Sequence, residues 1–115
     1  MKILLDENID VRFKGFFPIA LYEVYTVRDM QWNGIKNGAL LKLLKEHQFD
    51  CWIVVDKNIP YQQNPSNLPC LIIVLDVIRN TLKHLTPLIP SVLDVLKDST
   101  ERKVVVIPGM APESR

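Results

Sequence analysis

Five short apolar runs punctuate the chain, and four of them are followed at once or within two residues by a carboxylate. Ile3-Leu4-Leu5 runs into Asp6, and Tyr22-Glu23-Val24-Tyr25-Thr26-Val27 into Arg28 and Asp29. Cys51-Trp52-Ile53-Val54-Val55 precedes Asp56, Leu71-Ile72-Ile73-Val74-Leu75 precedes Asp76, and residues 103–107 form the fifth run. Each run is too short for a buried helix and rich in β-branched residues, so each predicts a strand. Between them, Ile9, Phe13, Phe16, Phe17 and Ala20 recur at helical spacing, with Asn8 or Asp10 to cap and Pro18 to stop a first helix. Ala39, Leu40, Leu43, Leu44 and His47 predict a second helix starting at Asn37-Gly38. Leu82, Leu85, Ile89, Val92, Leu93 and Leu96 predict a third, kinked or restarted at Thr86-Pro87. Alternating strands and helices predict an α/β chain: a three-layer α/β/α sandwich around a mostly parallel, doubly wound sheet of about five strands, with right-handed crossovers. The expected domain spans residues 1–107, and residues 108–115 read as a loose tail.

Composition narrows the classes. A chain of 115 residues is long enough for one core and too short for two. Fourteen basic against 13 acidic side chains leave a net charge of +1, which excludes the broad cationic coat of nonspecific nucleic-acid binders. Cys51 and Cys70 each lie in apolar sequence, as buried free thiols of a reducing compartment do. No run approaches the length of a membrane helix, and no signal peptide precedes the first strand, so a soluble, cytoplasmic protein without membrane contact is expected. His47 and His84 have no partner at zinc-ligand spacing, no serine sits in a nucleophile elbow, and no glycine-rich phosphate loop follows the first strand.

In a doubly wound sheet the ligand site lies beyond the carboxyl ends of the strands, where the strand order reverses. The residues to inspect are Asp6, Glu7 and Asn8; Arg28 and Asp29; Asp56, Lys57 and Asn58; and Asp76, Arg79 and Asn80. A reversal between the first and third strands sets Asp6 opposite Asp56. Converging carboxylates repel one another unless a cation holds them, and oxygen ligands of this kind suit Mg²⁺ or Mn²⁺. The plainer account is helix capping by Asp6 or Asn8. Capping alone does not require Asp56 ahead of a long loop, nor Asp76 some residues ahead of the third helix.

The same residues carry a resemblance. Met1-Lys-Ile-Leu-Leu-Asp-Glu-Asn8, Val27-Arg-Asp-Met-Gln-Trp-Asn-Gly34 and Val55-Asp-Lys-Asn-Ile-Pro-Tyr-Gln-Gln-Asn64, in this order, resemble the PIN-like domains of unknown function encoded in toxin–antitoxin loci. The likeness runs from Met1 to about Val106. It implies a PIN-like fold and, for active relatives, divalent-metal-dependent RNA cleavage by a toxin that pairs with a cognate antitoxin and commonly self-associates as a homodimer. Asp6 and Asp56 match the family's acids at the ends of the first and third strands, and Glu7 matches an accompanying acid. Two positions depart from the pattern: Asn37 and Asn58 stand where many relatives carry acids, and an amide offers a metal an oxygen but no charge.

The resulting assignment gives Asp6, Glu7, Asp29 and Asp56 to catalysis and Asp6, Asp56 and Asp76 to Mg²⁺ or Mn²⁺. Asn8, Arg28, Lys57, Asn58, Tyr61, Gln62 and Arg79 are assigned to RNA, through phosphate contacts, amide hydrogen bonds and stacking. Trp32 is expected to fold onto the core instead, and Trp52 to pack within its strand. The alternative is a weakened or inactive PIN-like module that binds a partner protein or RNA. A metal-dependent phosphatase or phosphoacceptor domain is a third reading, for which the chain lacks a convincing Lys and Ser/Thr set beyond Lys57.

Overall fold

The apolar runs pair into one five-stranded sheet in the order β2-β1-β3-β4-β5, with every pairing parallel. The strands are β1 (Lys2–Leu5), β2 (Glu23–Thr26), β3 (Cys51–Val54), β4 (Leu71–Asp76) and β5 (Val104–Pro108). The computed structural model describes residues 1–55, 68–98 and 101–109. Three α-helices occur among the described residues: α1 (Asn37–Glu46), α2 (Leu82–Leu85) and α3 (Ile89–Asp98). No helix among them is long and apolar enough to cross a membrane.

Side-chain alternation along the strands divides the core in two. Ile3, Leu5, Cys51, Ile53, Leu71, Ile73 and Leu75 face Phe13 and Phe17 on one side, together with Leu85, Val92 and Leu96 of α2 and α3. Leu4, Trp52, Val54, Ile72 and Val74 face the other side, where Leu40 and Leu44 of α1 pack with Trp32 and Phe49. Helices on both faces explain why β3 and most of β4 are apolar at every position. Both cysteines are free and buried. Burial pushes the Cys70 thiol up to about 12 and that of Cys51 well above its ordinary value, so both stay protonated and unreactive.

Three expectations are corrected. The first predicted helix is a 3₁₀ segment, Val11–Phe16. Gly15 weakens an α-helix here and Pro18 ends it early, while Asp10 fixes the entry by accepting from Arg12 N at 2.9 Å. Phe13 and Phe17 are buried and meet edge to face at 5.7 Å; Phe16 is left 46% exposed. The second correction concerns handedness. The β2-to-β3 and β4-to-β5 crossovers advance the same way across the sheet, yet α1 covers one face and α2 with α3 cover the other. These two crossovers therefore have opposite hands, and β1-to-β2 shares the hand of β2-to-β3. All-right-handed winding therefore does not hold throughout: the last crossover differs in hand from the first two. Third, the last strand runs one residue past its predicted end at 107: Pro108 pairs opposite Asp76, and Gly109 N donates to Asp76 O at 2.7 Å.

The predicted break in the third helix is present: α2 ends at Leu85, Thr86–Leu88 is a 3₁₀ turn with Pro87 in its first turn, and α3 follows.

Candidate functional site

Because β2 lies on one side of β1 and β3 on the other, the strand order reverses at β1. Asp6 leaves the sheet at that point. Its N–H donates to Ile53 O at 2.9 Å, extending the ladder by one bond, and its carbonyl accepts from Ile9 N at 3.0 Å to turn the chain. The side chain is half-buried and lines a cavity of about 190 Å³ with Glu7, Asn8, Val27, Trp32, Ile35, Asn37, Leu40 and Trp52. A smaller cavity of about 60 Å³ adjoins Asp6 and Glu7 among Thr26, Arg28 and Asn33.

Long-range hydrogen bonds fix the walls. Glu7 Oε1 accepts from Gly34 N at 3.0 Å, where Gly34 takes φ 79°, a conformation that favours glycine. That bond ties the loop after β1 to the loop that carries Trp32 and Ile35, and Glu7 thereby positions the cavity wall. Asn80 Nδ2 donates to Asn8 O at 2.7 Å, drawing the loop after β4 toward the loop after β1. Arg79, beside Asn80, is exposed, as is Arg28 at the smaller cavity. Trp32 is 8% exposed and packs edge to face on Phe49 at 5.9 Å, in keeping with its expected place on the core.

Asp29 is engaged elsewhere. Its Oδ2 accepts from Thr26 N at 2.9 Å and from Lys14 Nζ at 2.9 Å, while its own N–H donates to Thr26 Oγ1 at 3.0 Å. The Thr26 N–H, then Lys14, hold its carboxyl below the ordinary carboxylate range. A carboxylate with a lowered pKa contributes stability above about pH 4 that is lost as pH falls through the lowered value. Asp29→Ala is expected to lower the unfolding free energy by about 1 kcal/mol at neutral pH, a figure typical of a cap and limited by solvent screening. The difference from wild type should shrink as pH falls below about 4 in urea titrations. Asp10, held to about 2 by Arg12, titrates in the same sense.

Asp56, Lys57, Asn58, Tyr61 and Gln62 lie outside the described residues. Asp76 ends β4, and its backbone holds Gly109. Among the described residues no three His, Cys, Asp or Glu side chains form a metal-holding group. The cavity nonetheless presents oxygen donors alone as its candidate ligands: two carboxylates, Asp6 and Glu7, and two amides, Asn8 and Asn37. Such a set fits Mg²⁺ or Mn²⁺, which take one or two protein carboxylates and complete their shells with water and phosphate oxygens.

Asn33, on the smaller cavity, was not singled out from the sequence, and Trp52, expected only to pack within its strand, also lines the larger cavity. Nothing local marks either one: Trp52 has the neighbours of any buried strand residue, and Asn33 is one polar residue in a polar loop. Comparison of the chain with protein-family models, with curated proteins and with solved structures gives no match in any of the three.

Proposed function

We propose that this chain is a PIN-like, divalent-metal-dependent endoribonuclease, the toxin member of a toxin–antitoxin pair. The observation that supports it is the position of Asp6, at the reversal point of an all-parallel sheet and on the wall of a cavity whose candidate metal ligands are all oxygens. In this reading Asp6 and Asp56 hold the metal, and Glu7 fixes the loop that closes the cavity. Arg28 and Arg79, with Lys57, meet phosphates, and Tyr61 stacks on an unpaired base. A divalent ion bound there supplies charge to the phosphoryl group and lowers the pKa of water. With a net charge of +1, RNA affinity rests on a few local contacts.

A second reading has its own support. Asp29 is committed to Thr26 and Lys14, one Glu7 oxygen to Gly34, and Asn37 stands at the start of α1. A site so depleted of free carboxylates suits a module that binds RNA or an antitoxin without cutting. Purified protein incubated with single-stranded RNA and Mn²⁺ separates the two: the nuclease reading expects cleavage that Asp6→Asn and Asp56→Asn abolish. Equal cleavage by all three, or none with any metal, favours the binding module.

A further inference from the structure

A cleft of about 480 Å³ opens at the end of the sheet opposite Asp6, where β3, β4 and β5 begin. That volume falls within the roughly 300–1,000 Å³ of small-molecule sites. The pairing of Cys51 with Leu71 and of Ile72 with Val104 sets Asp50, Cys70 and Arg102 at one level across three neighbouring strand entries, roughly 5 Å from each to the next. Alternation sends the three side chains to the face that α1 covers, where Cys70 shares a buried cluster with Trp52 and Ile72. Lys45 and Gln48, at the end of α1, form the facing wall.

Charge in this cleft is unbalanced. Lys45 Nζ and the Arg102 guanidinium are exposed, and among the described residues neither makes an ion pair or a side-chain hydrogen bond. Asp50 is the one carboxylate among the lining residues, and its Oδ2 accepts from Lys2 N at 2.8 Å, on the side toward β1 and away from β5. Burial pushes the Cys70 thiol up to about 12, with Asp50 adding to the rise and Arg102 opposing it, so the guanidinium charge reaches the floor of the cleft.

The wall at Gln48 is held against the backbone's preference. Helix α1 closes with Gln48 N donating to Lys45 O at 3.2 Å and Phe49 N to Leu44 O at 3.0 Å, an ending that ordinarily takes glycine at the first residue past the helix. Gln48 occupies that left-handed position at φ 57°. Glycine would adopt it without strain but would remove an amide that both donates and accepts beside the cleft.

We infer that this cleft binds the phosphate of a small phosphomonoester, with Lys45 and Arg102 on its oxygens and Gln48 as a neutral partner. The ligand class follows from the charges. A phosphomonoester carries about −1.5 to −2 at pH 7 and three strong acceptor oxygens, which match two cations from opposite walls. A carboxylate or a phosphodiester brings a single negative charge and leaves one cation unmatched. The site is separate from the cavity at Asp6 and does not rest on the nuclease reading.

Isothermal titration in EDTA, which keeps divalent ions off Asp6, takes ribose 5-phosphate, ribose, acetate and dimethyl phosphate as probes. Wild type should bind ribose 5-phosphate about tenfold or more tightly than the other three. Arg102→Gln and Lys45→Gln should each weaken that binding about tenfold at unchanged melting temperature, as loss of a hydrogen bond to a charged group implies. Lys97→Gln, on α3 across the sheet, should bind as wild type. Gln48→Gly should melt no lower than wild type yet bind about fivefold more weakly, a combination that misfolding does not produce. No detectable binding of ribose 5-phosphate, equal binding of ribose, acetate or dimethyl phosphate, or undiminished binding by Arg102→Gln, Lys45→Gln or Gln48→Gly overturns the site.

Discussion

Asp6→Asn should reduce Mn²⁺-dependent RNA cleavage by roughly a hundredfold or more, since loss of even an outer partner at a metal site typically costs 10–100-fold. The substitution keeps the shape and a carbonyl oxygen but removes the charge. The fold should survive it, because the bonds to Ile53 and from Ile9 that place residue 6 are made by its backbone. Unchanged circular dichroism and melting, measured beside the rate, separate chemistry from unfolding. Two neighbouring acids behave differently. Glu7→Gln preserves an oxygen for Gly34 N and should cost less than Asp6→Asn, whereas Asp29→Asn, away from the cavity and tied to Thr26 and Lys14, should cleave at the wild-type rate. An Asp29→Asn variant as inactive as Asp6→Asn would place the chemistry on the wrong loop.

Phe13→Ala is expected to give the largest loss of stability, about 3–5 kcal/mol, the range for emptying a buried aromatic site. A six-residue 3₁₀ segment has little stability of its own, so Phe13 and Phe17 hold it to the sheet through Ile3, Leu5 and the α2–α3 layer. Phe16→Ala, three residues along on a half-exposed side chain, should fall within about 0.5 kcal/mol of wild type. Urea unfolding with an unchanged m-value reads both. Comparable losses at the two positions would mean that the segment packs by a different face.

These two substitutions also mark where the sequence was legible. Residues 9, 13 and 17 follow a strict i, i+4, i+8 spacing and do face the core. The spacing reports a buried stripe, however, and cannot tell an α-helix from a tighter 3₁₀ turn when glycine and proline cut the segment short. Strands were readable because parallel strands buried on both sides are uniformly apolar, as Cys51 to Val54 are. The reversal beside β1 entered only as a condition on strand order, and the pairing meets that condition. The hand of the last crossover was not readable, because α2 and α3 present the same apolar spacing whichever face they cover.

Within the site, position was legible and partnership was not. Chain order brought Asp6 to the sheet edge. The bonds that decide what each polar group is free to do join residues 15, 27 and 72 positions apart: Lys14 with Asp29, Glu7 with Gly34, and Asn8 with Asn80. No local pattern encodes such pairs. Trp52 is legible only in part: its strand context predicts burial correctly, while the absence of a hydrogen-bond partner for its indole Nε1 among the described residues depends on packing that no local pattern encodes.

The proposed nuclease requires a divalent ion in the cavity at Asp6. Electron paramagnetic resonance of free Mn²⁺, titrated with wild-type protein and with Asp6→Asn, tests it without reference to any RNA. One Mn²⁺ site is expected on the wild type, displaced by excess Mg²⁺ and lost or weakened at least tenfold in folded Asp6→Asn. Equal Mn²⁺ binding by the two proteins, or none by either, would contradict it.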